Sequence, residues 1–383
     1  MDFNKHRIQK MDNYKIVNGI IVQPGRLLYD HAVVVKNQTI IDITKDPDQY
    51  AELETIDAKG NYIAPGFIEM HIHGCSHYGF DQPEQLDMTE VISFLKQRGI
   101  NTFLPTFLCN RQVIRNSLSV IAKTENIHKS VPGIYIEGPF INRQKKGGIS
   151  EDFITHPDSK LLWEIAEECG GWLKLMTVAP EIHGSHPIIH ELIHKGITPC
   201  LGHSAAELSD LPVLKGEKIN ITHLFNAMSP ISHKTSGLAM YPFLNREVFF
   251  ELNGDGVHVN DDAISMCYHH LNKERLILIS DAVISSGLEY GEYESYGRKV
   301  ISSERGVRYK EDDVLMGSAM LMNSIVKRFI EQTGAPLHEA VRFATLNPAM
   351  LLGIHNKRGS IETGKEADII LLDHEYQVIG NLF

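Results

Sequence analysis

Cysteine is scarce and poorly spaced for structural use: five residues in 383 (Cys75, Cys109, Cys169, Cys200 and Cys267), an odd number with no Cys-x-x-Cys pair. That excludes a disulfide framework and a thiolate zinc knuckle, and leaves packing as the role of most of them. Long apolar runs are missing too. Nothing approaches the ~18 consecutive apolar residues of a membrane span, and the opening MDFNKHRIQK is charged where a secretory leader needs an apolar core. The expected location is the cytoplasm. Positive charge is in deficit, with 37 Lys plus Arg against 48 Asp plus Glu and a net charge of -11. Nucleic acid and anionic membrane surfaces are therefore poor partners, and an anionic small substrate would need its own local cation. Internal repeats, low-complexity tracts and long linkers are also lacking.

What is present in quantity is apolar content, 43%, enough for a large domain plus a small one, and histidine, at 20 residues. So many histidines weaken any single spacing motif, because a His-x-His pair is expected roughly once by chance.

Short alternating runs at 14–17, 32–36 and 39–43 predict a small β domain, and the stretch 359–372 has the same character. The tail is expected to return to the N-terminal sheet and complete it. Between them, eight apolar strand-like runs alternate with helical patterns: 63–69, 102–106, 133–137, 173–178, 197–202, 219–222, 249–253 and 276–280. Helices are expected at 88–97, 159–168, 262–271, 318–332 and 337–344. Eight strands with crossover helices predict a (β/α)8 TIM barrel over 63–356, with a small β-sandwich domain formed by 1–62 and 357–383.

The chemistry-bearing residues fall at the ends of these runs. The first leads into Glu69-Met-His71-Ile-His73-Gly74, where i, i+2 spacing turns both imidazoles to one face. The third ends in Glu137-Gly-Pro-Phe140, the fifth in Gly202-His203-Ser204, the sixth in Thr222-His223-Leu-Phe-Asn226, and the eighth in Ser280-Asp281-Ala282. Barrel enzymes carry catalytic residues at strand C-termini, and here five strands each deliver a metal-competent or acid/base side chain there. The run His190-Glu-Leu-Ile-His194 spells the zinc-protease motif. It falls on a predicted outer helix and is read as a decoy. Imidazole and carboxylate ligands favour zinc, iron or manganese over magnesium, and such an ion brings the pKa of water toward ~7. Asp281 is placed to take a proton as water attacks a carbonyl and to return it to the leaving group. The expected reaction is hydrolysis of an amide, ester, lactone or related bond.

On these motifs the whole chain resembles the amidohydrolase superfamily and, within it, the N-acetylglucosamine-6-phosphate deacetylase family. The matching runs include His71-Ile-His73-Gly74, Glu137-Gly-Pro-Phe140, Lys145-Lys-Gly147, Gly202-His203-Ser204, Thr222-His223-Leu-Phe-Asn226-Ala227-Met228, Asp255-Gly-Val-His258, Ser280-Asp281-Ala282 and Ala344-Thr-Leu-Asn-Pro348. The resemblance implies that Glu137, His203 and His223 bind one divalent ion, that His71 with His73 permits a second, and that Asp281 is the general base and acid. It implies further that Asn226, Ala227 and His258 receive a sugar phosphate, and that a cation near the phosphate comes from a neighbouring subunit, hence a homodimer. This sequence departs from the family in two places. Gly148-Ile149 stands where a histidine usually contacts the substrate amide, and Lys234 replaces an arginine, keeping the charge but losing the bidentate fork. The alternatives are a related amidohydrolase acting on another acylated sugar phosphate or a cyclic amide, and a non-catalytic sugar-phosphate-binding barrel.

Overall fold

The computed structural model describes residues 12–383. Eight parallel strands form one sheet in sequential order: β1 (Phe67–Ile72), β2 (Ile100–Leu108), β3 (Ile134–Glu137), β4 (Leu173–Val178), β5 (Thr198–Leu201), β6 (Asn220–Ile221), β7 (Phe249–Asn253) and β8 (Leu276–Ile279). Closure comes just past β8, where Ile72 bridges Ala282, the Asp281 amide donates to the His71 carbonyl at 2.9 Å and the His73 amide to the Ala282 carbonyl at 2.7 Å. This is the expected (β/α)8 barrel. Every residue of β1 and β2 is buried, as required of strands covered on both faces, and it explains why they read as continuous apolar runs rather than alternation. The predicted helices are found at Met88–Lys96, Ser159–Glu168, Asp261–His270, Met322–Thr333 and Leu337–Phe343.

A separate seven-stranded sheet runs in the order 378–381, 369–372, 62–65, 13–23, 26–36, 39–44, with 54–57 paired to 13–23. The tail does return: Ile369–Leu372 lies antiparallel to Tyr62–Pro65. Ile16, Val33, Val35, Ile63, Ile369 and Leu371 form its core. Here the run expected as a barrel strand at 63–69 proves to be two elements. Tyr62–Pro65 belongs to this sheet, and β1 begins only at Phe67. Gly66 marks the break, since a Cβ there would collide with Asp368 Oδ1 and Asn101 Nδ2, which are themselves hydrogen-bonded at 2.6 Å.

By compactness the chain divides into two units: the described residues through 68 with 92–102 and 322–383, and 69–91 with 103–321. One element of the second unit was not anticipated. A four-stranded antiparallel sheet, Gly291–Ser295, Arg298–Ser303, Gly306–Tyr309 and Leu315–Gly317, follows β8. No helix among the described residues is long and apolar enough to cross a membrane.

Candidate metal centre

The C-terminal ends of five barrel strands bring together the residues singled out from the sequence. Among the described residues two groups have ligand geometry, Glu137 with His203 and His223, and His71 with His73 and Asp281; all six side chains are buried. Glu137 ends β3. Its Oε1 lies 2.8 Å from His203 Nε2 and 2.9 Å from His223 Nε2, while Oε2 lies 3.5 Å from His73 Nε2. Asp281 Oδ1 is 3.7 Å from His71 Nε2 and 3.5 Å from His73 Nε2. Glu137 thus turns one oxygen to each group.

The proton positions argue that a cation belongs here. His203 Nδ1 sits 2.8 Å from the Lys145 carbonyl, so it must be the protonated nitrogen, and its Nε2 lone pair then faces a carboxylate oxygen. That same Nε2 is 3.0 Å from His223 Nε2. His71 Nδ1 donates to Glu251 Oε2 at 3.0 Å, leaving a buried Nε2 with no hydrogen-bond partner. Lone pairs converging in this way need a shared positive charge, and a divalent ion with imidazole and carboxylate ligands fits the donor set. The electrostatics agree. Burial opposes a charge on His71, but the carboxylates of Asp281, Glu251 and Glu137 outweigh it and push its pKa up to about 10. Burial likewise works against a charged Glu137, and only positive charge among the surrounding histidines, at His203 first, holds its carboxyl well below the usual range.

Glu251, in the middle of β7, was not among the expected residues. It is fully buried, receives His71 Nδ1–H and the His223 amide on Oε2 at 3.0 Å each, and accepts Asn220 Nδ2 on Oε1 at 2.7 Å. It therefore fixes a side chain of one group and the backbone of the other. Glu69 does a related job for β1 and β8, accepting the His71 and Ser280 amides; burial pushes its carboxyl up to about 7. Glu181 anchors the turn after β5 through Ser204 Oγ and the Ala205 amide, both at 2.7 Å. Backbone strain concentrates at the same place: His203, His223 and Asp281 have φ of 46°, 26° and 55°, in the left-handed region that non-glycine residues avoid.

A pocket of about 340 Å³ opens over the two groups. Its polar lining includes Lys145, Asn226 and His258, with Ala227 beside Asn226. His258 is held by Asp255, Nδ1 to Oδ2 at 2.7 Å, and presents Nε2 to Asp281 Oδ2 at 3.4 Å. The pocket's apolar lining includes Leu108, Ile149, Tyr309, Leu315 and Met316, with Tyr296 against His73 Nδ1 at 3.1 Å. Both tyrosines and Leu315 and Met316 belong to the unanticipated antiparallel sheet and its turns. Lys234 is exposed and does not line the pocket. His190 and His194 are exposed on the helix Ser185–His194 and belong to neither ligand group, as their placement on an outer helix implied.

With this geometry in view, the likeness to known proteins is specific. The N-acetylglucosamine-6-phosphate deacetylase of Haemophilus influenzae is 29% identical over 381 residues, covering 96% of this chain and 97% of that one. The Bacillus subtilis protein of the same name is 29% identical over 378 residues, covering 92% and 94%. The crystal structure of the Pasteurella multocida N-acetylglucosamine-6-phosphate deacetylase superposes with a TM-score of 0.86 at 26% identity, covering 96% and 97%. The model described as "Amidohydrolase family" matches residues 62–382. The barrel, the histidines and carboxylates at its strand ends and this match together place the chain in the amidohydrolase family.

Proposed function

We propose that this chain hydrolyses the acetamide of N-acetylglucosamine 6-phosphate, or of a closely related N-acetylhexosamine 6-phosphate, to the amino-sugar phosphate and acetate. The observation that carries the reading is the convergence of Glu137, His203, His223 and His73 around Asp281 in one pocket, with His71 completing the second ligand group, in a chain that matches deacetylases over nearly its full length. Glu137, His203 and His223 would hold one divalent ion, zinc, iron or manganese, and His71 with His73 a second. Such an ion supplies Lewis acidity toward a carbonyl and makes water acidic enough to react near neutral pH. Asp281 supplies the proton transfer. It accepts a proton as the water oxygen adds to the amide carbon, and delivers one to the nitrogen as the C–N bond breaks, so that acetate and amine leave together. Its Oδ1 faces the two histidines, while Oδ2 faces His258 Nε2 at 3.4 Å and takes this part. Asn226, Ala227 and His258 would receive the sugar phosphate, with Asp255 setting the His258 ring.

Lys234 lies away from the pocket, so in this reading it serves a neighbouring copy, which supports a homodimer with phosphate sites completed across the interface. The functional division runs between the small sheet, which takes in Tyr62–Pro65 and the tail, and the barrel from Phe67 on, since every proposed site residue lies between His71 and Asp281. A cytoplasmic location fits a phosphorylated substrate. The test is acetate release from N-acetylglucosamine, N-acetylgalactosamine and N-acetylmannosamine with and without the 6-phosphate, alongside metal analysis. Release dependent on the phosphate and lost in Asp281→Asn by ~10²- to 10⁴-fold is expected. Full activity of that variant would remove Asp281 from its role, and no release from any compound would remove the deacetylase reading.

A further inference from the structure

The apolar side of the pocket is larger than an acetyl group requires. Leu108 is the register partner of Glu137 across β2 and β3, so it flanks the proposed ligand directly. Ile149 packs with Leu108, Ile141 and Ile154, and Tyr296 packs onto the same cluster. Tyr309 and Met316 belong to a second apolar cluster. The two meet at Gly148, where a Cβ would stand 3.2 Å from Tyr309 Cε2 and 3.8 Å from Met316 Cα. The result is a continuous wall of Leu108, Ile149, Tyr296, Tyr309, Leu315 and Met316 on one side of the pocket.

The reaction geometry says which half of the substrate meets this wall. The amine must leave toward Asp281, its proton donor, and Asp281 Oδ2 faces His258. The sugar therefore lies toward His258, where hydroxyls can also meet the polar lining residues Asn226 and Lys145. The acyl group, on the other side of the scissile bond, points past Glu137 and His73, whose neighbours are Leu108 and Tyr296. A sugar placed the other way would bury hydroxyls against Leu108, Ile149, Leu315 and Met316 with nothing to pair them. One methyl group would cover only a small part of six side chains.

We infer that this wall is an acyl-chain subsite and that the chain acts on N-acylhexosamine 6-phosphates whose acyl group has three or four carbons at least as readily as on the acetyl compound. The inference rests on the hydrolase reading above and on Asp281 as proton donor. The bond cleaved and the proton transfers are unchanged; the released acid is propionate or butyrate.

The test compares kcat/KM of the metal-loaded protein on N-acetyl-, N-propionyl- and N-butyrylglucosamine 6-phosphate. Propionyl or butyryl values equal to or above the acetyl value are expected. Each methylene in a fitted apolar pocket is worth ~10-fold or more, so an acetyl preference over both longer chains overturns the subsite while leaving the deacetylase reading intact. Absence of turnover on all three overturns both. Ile149→Phe, which fills the wall, should lower the butyryl-to-acetyl ratio by about 10-fold. An unchanged ratio in a variant that still hydrolyses the acetyl compound would remove Ile149 from the subsite. Inhibition by free acids gives a readout without a variant: butyrate should inhibit more strongly than acetate, and the reverse order counts against the wall.

Discussion

Glu251→Ala is the sharpest probe of how the two ligand groups are held. The substitution removes one fully buried carboxylate and leaves three donors facing a cavity: His71 Nδ1–H, the His223 amide and Asn220 Nδ2. A buried donor without a partner costs ~1 to 3 kcal/mol. One of the three keeps a partner, because Asn220 Nδ2 also lies 3.4 Å from Cys200 Sγ. The expected loss is then ~3 to 5 kcal/mol, the range for breaking a buried charge pair by deleting one side. Denaturant unfolding of the metal-free protein measures this term without any contribution from bound ion. Metal affinity should fall as well, by ~10- to 100-fold, since His71 loses the partner that fixes its tautomer and ring. Glu251→Gln should cost less, because a neutral oxygen can still accept from His71 and His223 while Asn220 turns to meet the new amide. The reasoning is refuted if Glu251→Ala unfolds within about 1 kcal/mol of the parent and retains its metal affinity.

His203→Ala should abolish bound metal and turnover together, since it removes one of three ligands of the Glu137 group, and elemental analysis beside an activity assay checks both. Asp255 is buried and has a folded pKa of about 2 against an ordinary 3.8. Burial alone would raise it, and the His258 hydrogen bond and charge win. A depressed folded pKa gives stability that is present above the unfolded value and lost as pH falls through the folded one, so ~2 kcal/mol should disappear between pH 5 and pH 2. Asp255→Asn should lose that part of the acid dependence, and an unchanged acid-unfolding profile would contradict the assignment. Gly66→Ala should destabilise by ~3 kcal/mol or more, because its Cβ would meet the hydrogen-bonded Asp368–Asn101 pair; a thermal melt matching the parent would argue that the pair moves freely.

The barrel could be read from the sequence because its strands are buried on both faces and so stand out as unbroken apolar runs. The residues at their ends could be read because His203, His223 and Asp281 each follow such a run directly. What escaped was charge inside the runs. Glu251 interrupts Phe-Phe-Glu-Leu-Asn, and Glu69 interrupts Phe-Ile-Glu-Met; a carboxylate in a wholly buried strand needs partners, and that was the available sign. The boundary at 63–69 was misplaced because one apolar run serves two sheets, with only Pro65-Gly66 to mark the change. The antiparallel sheet after β8 also left a trace. Ser295 and Arg298 pair across Tyr296-Gly297, both with positive φ, the geometry of a two-residue hairpin turn between alternating strands. Tyrosine in place of the usual asparagine or aspartate disguised it, and with it went half of the pocket's apolar side.

The left-handed backbone at His203, His223 and Asp281 has a consequence for selection on this molecule. Each position would relax if glycine or asparagine stood there, by an amount on the order of 1 kcal/mol or more. Mutagenesis screened only for heat resistance should therefore enrich replacements at these three strand ends before most others, and the survivors would be well-folded barrels in which both ligand groups are incomplete. In this chain resilience and chemistry compete at the same three backbone positions, so a stabilised version that still works must draw its gains from residues elsewhere.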